Sequence, residues 1–205
     1  MTVVGLLIAA GFGRRFDPSG RTSKLEYPLD GEPVAVRTAR ALRDGCDGVV
    51  AVVRPQSARL AAALAALGCR IVPPAGPEGM GSSIASAARA VLDQPSLRAV
   101  LIQPADLPWL TAATVARIAG FDAGAHRIVV PTHAGRDGHP VRFARELLPA
   151  LAALSGERGA RSLLEREARD GAGLLRIAVD DAGVVRDLDT PADLDTPADP
   201  RTTAD

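Results

Sequence analysis

Three carboxylates and a glycine-rich turn are the residues of this chain whose types and spacing could do chemistry. Asp106 closes the apolar run Ala99–Ile102 through Gln103-Pro104-Ala105. Asp187 and Asp189 alternate within Asp187-Leu188-Asp189-Thr190-Pro191. On a strand, that alternation puts both carboxylates on one side. Acids at two separate strand ends, converging on a phosphate-binding loop, would form a hard oxygen site suited to magnesium held together with substrate phosphates. Each acid also has a plainer reading. Asp106 could cap a helix beginning near Pro108, and Asp187 to Pro191 could be a solvated strand end running into a turn.

The glycine-rich turn is Leu7-Ile8-Ala9-Ala10-Gly11-Phe12-Gly13-Arg14-Arg15, with Lys24 beyond it. A strand running into small residues lets successive backbone N–H groups close around an anion. Gly11 and Gly13 would allow close approach, and Arg15 and Lys24 would neutralise a polyphosphate. Position 16 is Phe, so the dinucleotide fingerprint GxGxxG is not met, and no GxxxxGK(S/T) loop is present. Taken alone, the glycines could equally be a structural turn. His126, His133 and His139 lack the spacing of a zinc site, and no Ser/His/Asp pattern occurs. His139, within Gly135-Arg136-Asp137-Gly138-His139-Pro140-Val141, is either a loop histidine bonded to backbone or part of a site.

The elements that must position these residues alternate along the chain. Val3–Ile8, Val49–Val53, Ala99–Ile102 and Arg127–Val130 are short apolar runs of the kind buried on both faces of a sheet. Arg70–Val72, Leu174–Val179 and Val184–Leu188 read as further strands. Helices are expected from Pro33 onward and over Ala58–Leu67, Ser82–Asp93, Thr111–Ala119, Glu146–Leu154 and Ala160–Arg169. Strands alternating with helices imply an α/β fold, a three-layer Rossmann-like sandwich around a mostly parallel sheet. Such sheets bind ligands beyond the carboxyl ends of their strands, where Gly11 and Asp106 fall. One domain is expected over residues 1–194. Residues 195–205 read as a polar tail, in which Asp195-Thr196-Pro197-Ala198-Asp199 repeats Asp189-Thr190-Pro191-Ala192-Asp193.

Composition narrows the partners. The chain has 205 residues and 24 basic against 24 acidic side chains, and Lys24 is its one lysine. At about 150 residues per domain this is enough for one self-sufficient core. A net charge of zero and 3% aromatic residues argue against nucleic acid as a partner. No apolar run approaches the ~18 residues of a membrane span, and no signal-peptide pattern precedes Val3. Cys46 and Cys69 show no CxxC spacing and are expected to be buried free thiols. A soluble, cytoplasmic protein is expected.

Together these segments resemble the molybdenum-cofactor nucleotidyltransferases, the MobA-like NTP transferases. Six motifs stand in the family's order. The first is Ile8-Ala9-Ala10-Gly11-Phe12-Gly13-Arg14-Arg15 with Lys24, and the second Gly79-Met80-Gly81-Ser82-Ser83-Ile84. Then come Ala105-Asp106-Leu107-Pro108-Trp109, Arg136 to Val141, Gly156-Glu157-Arg158-Gly159-Ala160-Arg161, and Asp187 to Leu194. The chain departs from the family in Ile8 for leucine, in Glu157 for aspartate and in a longer loop between Arg15 and Lys24. It also lacks a polar residue within Pro73-Pro74-Ala75-Gly76-Pro77.

The resemblance implies transfer of a nucleoside monophosphate from an NTP to the terminal phosphate of molybdopterin, with pyrophosphate released. The Ala9-Ala10 pair resembles the cytidylyl-transferring branch, where Gly-Gly would resemble the guanylyl-transferring one. It also implies roles for particular residues. Ile8, Ala9, Ala10, Gly11, Gly13, Gly79, Ser82 and Ser83 would bind the nucleotide. Arg15 and Lys24 would hold the phosphates, with His139 and Arg161 toward the acceptor. Asp106 and Asp189 would bind Mg2+, with Asp187 the second-choice ligand. A molybdenum hydroxylase is the protein that would receive the product. Two readings from other classes are a dinucleotide-dependent oxidoreductase, disfavoured by the absent third glycine, and a non-catalytic cofactor carrier.

Overall fold

The computed structural model describes residues 2–11, 13, 16–17, 23–169 and 173–194. Strand β1, Thr2–Ala9, is followed by a hairpin of two-residue strands, β2 Pro28–Leu29 and β3 Glu32–Pro33, and by helix α1, Val34–Gly45. Next come β4 Gly48–Val53, α2 Ala58–Ala66, β5 Arg70–Val72, α3 Met80–Arg89, β6 Leu97–Pro104 and α4 Ala112–Gly120. The remainder is β7 Ile128–His133, β8 Arg136–Asp137, β9 Val141–Ala144, α5 Leu148–Ala152, α6 Arg161–Arg169 and β10 Leu174–Ala178.

The main sheet runs β10-β7-β9-β6-β1-β4-β5, with β8 paired to β7. β1 lies parallel to both β4 and β6, and β10 parallel to β7. β9 is antiparallel to both of its neighbours, β6 and β7. The sheet is therefore mostly parallel, as expected of an α/β sandwich.

Two-residue periodicity sends alternate side chains of β1 into two cores. Val3, Leu7 and Ala9 join Leu42 of α1, Leu60 and Leu64 of α2, and Val115 and Ile118 of α4. Val4, Leu6 and Ile8 join Ile84 of α3, Leu148 and Leu151 of α5, and Leu163 of α6. Helices thus cover both faces, and β1 is buried on each. The two cysteines are free; Cys69 is buried and Cys46 half-buried. Burial, aided by Asp47, pushes the Cys46 thiol up to about 12.

Four expectations need correction. Val184–Leu188 is not a strand: Asp181 accepts from Gly183 N at 2.8 Å and turns the chain into a 3-10 helix, Ala182–Val184. Asp106 caps no helix, because α4 begins at Ala112 and is capped by the Thr111 hydroxyl. The helix expected over Glu146–Leu154 is a 3-10 turn, Arg145–Leu147, followed by the short α5. Pro149 has no N–H to continue an α-helical ladder back into that turn. Finally, β9 was not expected; Val141 and Phe143 point into one core from a four-residue strand just after Pro140. Among the described residues, no helix is long and apolar enough to cross a membrane.

Candidate active site

One cavity of about 890 Å³ lies beyond the carboxyl ends of β1, β4 and β6. Ala105 N donates to Ile8 O at 3.1 Å and draws the ends of β1 and β6 together. Ile8, Ala10, Gly11 and Gly13 line the cavity. The side chain of Ala9 does not, because the strand's alternation turns it into the core. Gly13 has φ of 62°, and a Cβ there would stand 3.2 Å from the Lys24 Cγ, so a left-handed glycine lets the loop lie against the lysine stem. Arg15 lies outside the described residues.

Lys24 opens a 3-10 turn, Lys24–Glu26. Its Nζ donates to Asp106 Oδ2 at 2.7 Å and to Asp189 Oδ1 at 2.8 Å. The side chains are 12% exposed for Lys24, 19% for Asp106 and 28% for Asp189, so the charges meet at the edge of water rather than in the core. Burial alone would lower the lysine pKa; the charges and hydrogen bonds of Asp106 and Asp189 outweigh it, and the net shift is upward.

A small apolar cluster holds the segments that carry these charges. Phe16, Val34 and Leu188 are buried together, with Tyr27, Trp109 and Leu194 packed around them. The Phe16 and Tyr27 rings meet edge to face at 5.2 Å. Leu188 N donates to Asp106 O at 2.8 Å, which ties the last acidic segment to the end of β6.

Asp187 lines the same cavity and is close enough to His139 to act on its charge. His139 precedes β9, and its Nδ1 is buried without a hydrogen-bond partner. Burial lowers the His139 pKa below 6.5, and the Ile102 backbone, Asp106 and Asp187 only partly offset it. A neutral ring facing the cavity results.

The second motif builds a wall. Gly79 has φ of 142°, and a Cβ on it would collide with the Gly156 carbonyl. Gly81 N donates to Gly156 O at 2.8 Å, and the Ser82 hydroxyl accepts from Gly156 N at 3.2 Å. Ser83 donates to Gly79 O at 3.1 Å. Gly79 and Ser83 line the cavity, whereas Ser82 faces the 155–157 loop. Arg161 is not brought to the site: its side chain is 81% exposed and pairs with Glu165 on the same helix.

Other residues of the cavity did not stand out in the sequence. Arg54 follows β4, donates to Gly11 O at 3.3 Å and lines the cavity with Gln56. The rule that singled out Gly11 and Asp106, the position just beyond a buried strand, applies to it equally. Glu78 also lines the cavity, as do Arg136 and Glu157 of the fourth and fifth motifs.

Among the described residues, no group of three or more His, Cys, Asp or Glu side chains is arranged to hold a metal alone. Asp106 and Asp189 offer carboxylate oxygens only. Two such groups beside a cavity of this kind fit a hard divalent cation that takes its remaining ligands from water and phosphate.

Residues 5–171 match the model of the MobA-like NTP transferase domain. The chain belongs to this family. A molybdenum cofactor guanylyltransferase of Burkholderia vietnamiensis (strain G4 / LMG 22486) is 33% identical over 183 residues, 80% of this chain and 82% of that protein. The crystal structure of Rv0371c from Mycobacterium tuberculosis H37Rv matches with a TM-score of 0.77 at 26% identity, covering 94% of this chain and 95% of that one. The structure of Rv0371c in complex with manganese matches with a TM-score of 0.68 at 25% identity, over 87% and 89% of the two chains. Five of the six motifs lie within the family match, and only Asp187 to Leu194 falls after it. As a MobA-like NTP transferase, the protein is a nucleotidyltransferase acting on small molecules.

Proposed function

We propose that this nucleotidyltransferase moves CMP from CTP onto the terminal phosphate of molybdopterin and releases pyrophosphate. The observation that carries the reading is the Lys24 ammonium joined to Asp106 and Asp189 at a cavity beyond the strand ends. An acceptor phosphate oxygen would bond to the α-phosphorus while the bond from that phosphorus to the pyrophosphate oxygen breaks. The attacking oxygen is already an anion, so no general base is required. What matters is in-line placement and charge neutralisation.

The backbone from Ile8 to Gly13 would receive the base and triphosphate, with Gly79 and Ser83 on the nucleotide side. Arg15 and Lys24 would face the phosphates. Asp106 and Asp189 would hold magnesium, which supplies charge neutralisation for the triphosphate when bound; the manganese complex of Rv0371c supports a divalent cation here. His139, whose neutral ring lines the cavity, would lie on the acceptor side. Cytidylyl transfer is favoured by the Ala9-Ala10 pair, which resembles the cytidylyl-transferring branch, and Ala10 lines the cavity.

Guanylyl transfer is the second reading, favoured by the name of the Burkholderia relative. One experiment separates them. Incubation with magnesium, molybdopterin and each of the four NTPs should release pyrophosphate fastest with CTP. Release with GTP alone would establish the guanylyl reading, and release with none would refute both.

A further inference from the structure

Asp189 reaches Lys24 from a stretch that belongs to no strand, so something other than the sheet must aim it. The N–H groups of Asp189 and Thr190 both donate to Asp193 Oδ2, at 2.9 and 2.6 Å, and the Thr190 hydroxyl donates to the same oxygen at 3.0 Å. Asp193 itself lies in a single 3-10 turn, Pro191–Leu194. The Thr190 N–H does most to hold its carboxyl below the ordinary value, against a smaller opposing effect of burial.

The turn is anchored from outside. The Arg186 guanidinium lies 3.6 Å from the centre of the Trp109 ring, and its Nη2 donates to Asp193 O at 3.5 Å. Trp109 stands three residues after Asp106. The same stack therefore touches both acidic segments. Leu194, the last residue of the turn, packs on the Phe16–Val34–Leu188 cluster.

We infer that Asp193 is a positioning residue, whose Oδ2 gathers three hydrogen bonds and so fixes the direction in which Asp189 presents its carboxylate. The inference rests on the proposed reading of Asp189 as a cation ligand. Asp193 touches neither Lys24 nor the cavity; it acts through the backbone of its neighbour. Partners of this kind, one step removed from a metal, typically change metal affinity by about 10–100-fold when removed.

The test measures Mn2+ affinity in the presence of CTP or of GTP, by water-proton relaxation, alongside the melting temperature. Asp193→Ala should weaken manganese binding by about 10–100-fold while melting near the wild type. Asp193→Asn, whose amide oxygen still accepts, should recover most of that loss. Thr190→Val removes one bond of the three and should weaken binding less, in the same direction; it serves if Asp193→Ala fails to fold. Wild-type affinity in Asp193→Ala or, should that variant not fold, in Thr190→Val would overturn the inference, and so would an Asn variant as weak as the Ala one. Asp189→Ala is the control. If it binds manganese normally, the reading of the site falls and this inference with it. If it loses binding while Asp193→Ala does not, only the role of Asp193 falls.

Discussion

The Lys24 ammonium stands 2.7 Å from Asp106 Oδ2, a contact that joins the loop after β1 to the end of β6. With Asp189 on its other side at 2.8 Å, the lysine carries one positive charge between two negative ones. The cluster is thus net negative at neutral pH, which suits a second cation arriving with a polyanion.

Replacing Asp106 by Asn keeps the shape of the side chain and removes its charge. Turnover should fall by about 10²–10³-fold, the usual cost of losing one preorganised electrostatic group. The circular dichroism spectrum should not change. Pyrophosphate release measures the first and far-ultraviolet circular dichroism the second; full activity would remove Asp106 from the site.

Lys24→Ala should act in two directions at once. Turnover should drop, since the phosphates lose a cation, but Mn2+ should bind the nucleotide-free protein more tightly than it binds the wild type. Freed from the lysine, the two carboxylates regain charge for the metal. The gain should be about tenfold, or ~1.4 kcal/mol, held to that size because the group lies near solvent. Titration followed by electron paramagnetic resonance of free manganese reads it, and weaker binding would show that the lysine does not compete.

His139 predicts a pH dependence of stability. Its folded pKa lies below 6.5, so between 6.5 and that lower value the unfolded chain holds a proton that the folded chain does not. The contribution of the neutral ring is complete above 6.5 and is lost as pH falls through this window. Thermal melts between about pH 7.5 and about pH 5 should therefore drop more steeply for wild type than for His139→Gln. Parallel curves would show that the ring titrates alike in both states.

Ala10→Gly should move nucleotide preference from CTP toward GTP. Wild type should be stabilised more by CTP than by GTP when magnesium is present, and the variant should narrow or reverse the difference. Differential scanning fluorimetry with each nucleotide measures it. An unchanged ratio would assign base choice to another part of the cavity wall, such as the Pro74–Met80 stretch.

The legible parts of this protein were those governed by period and punctuation. β1 could be read because Val3–Ile8, five apolar residues and a glycine, admits few other fates, and Gly11 and Asp106 because they stand just beyond such runs. Asp189 lines the cavity, but not from the strand that its alternation with Asp187 suggests: it follows a 3-10 turn in which Asp181 accepts from Gly183 N while its other oxygen takes the Thr111 hydroxyl, 70 residues away, a partner no local pattern encodes. β9 escaped for a related cause. Its four residues include Arg142 and follow Gly138 and Pro140, so only the pairing with β6 and β7 makes a strand of them. Ser82 looked like a ligand because of its place in a motif, while its hydroxyl is spent on Gly156.

The bonds of Lys24 span 82 residues to Asp106 and 165 to Asp189. Contacts of such separation close long loops and carry the entropy cost of doing so. A chain emerging from the ribosome would carry the glycine loop and its lysine long before the segment that ends at Asp189. The charge cluster can therefore exist only once that last segment has come home, and a half-made chain has no complete place in which to hold a nucleotide and its cation. Completion of the fold and readiness of the site become the same event.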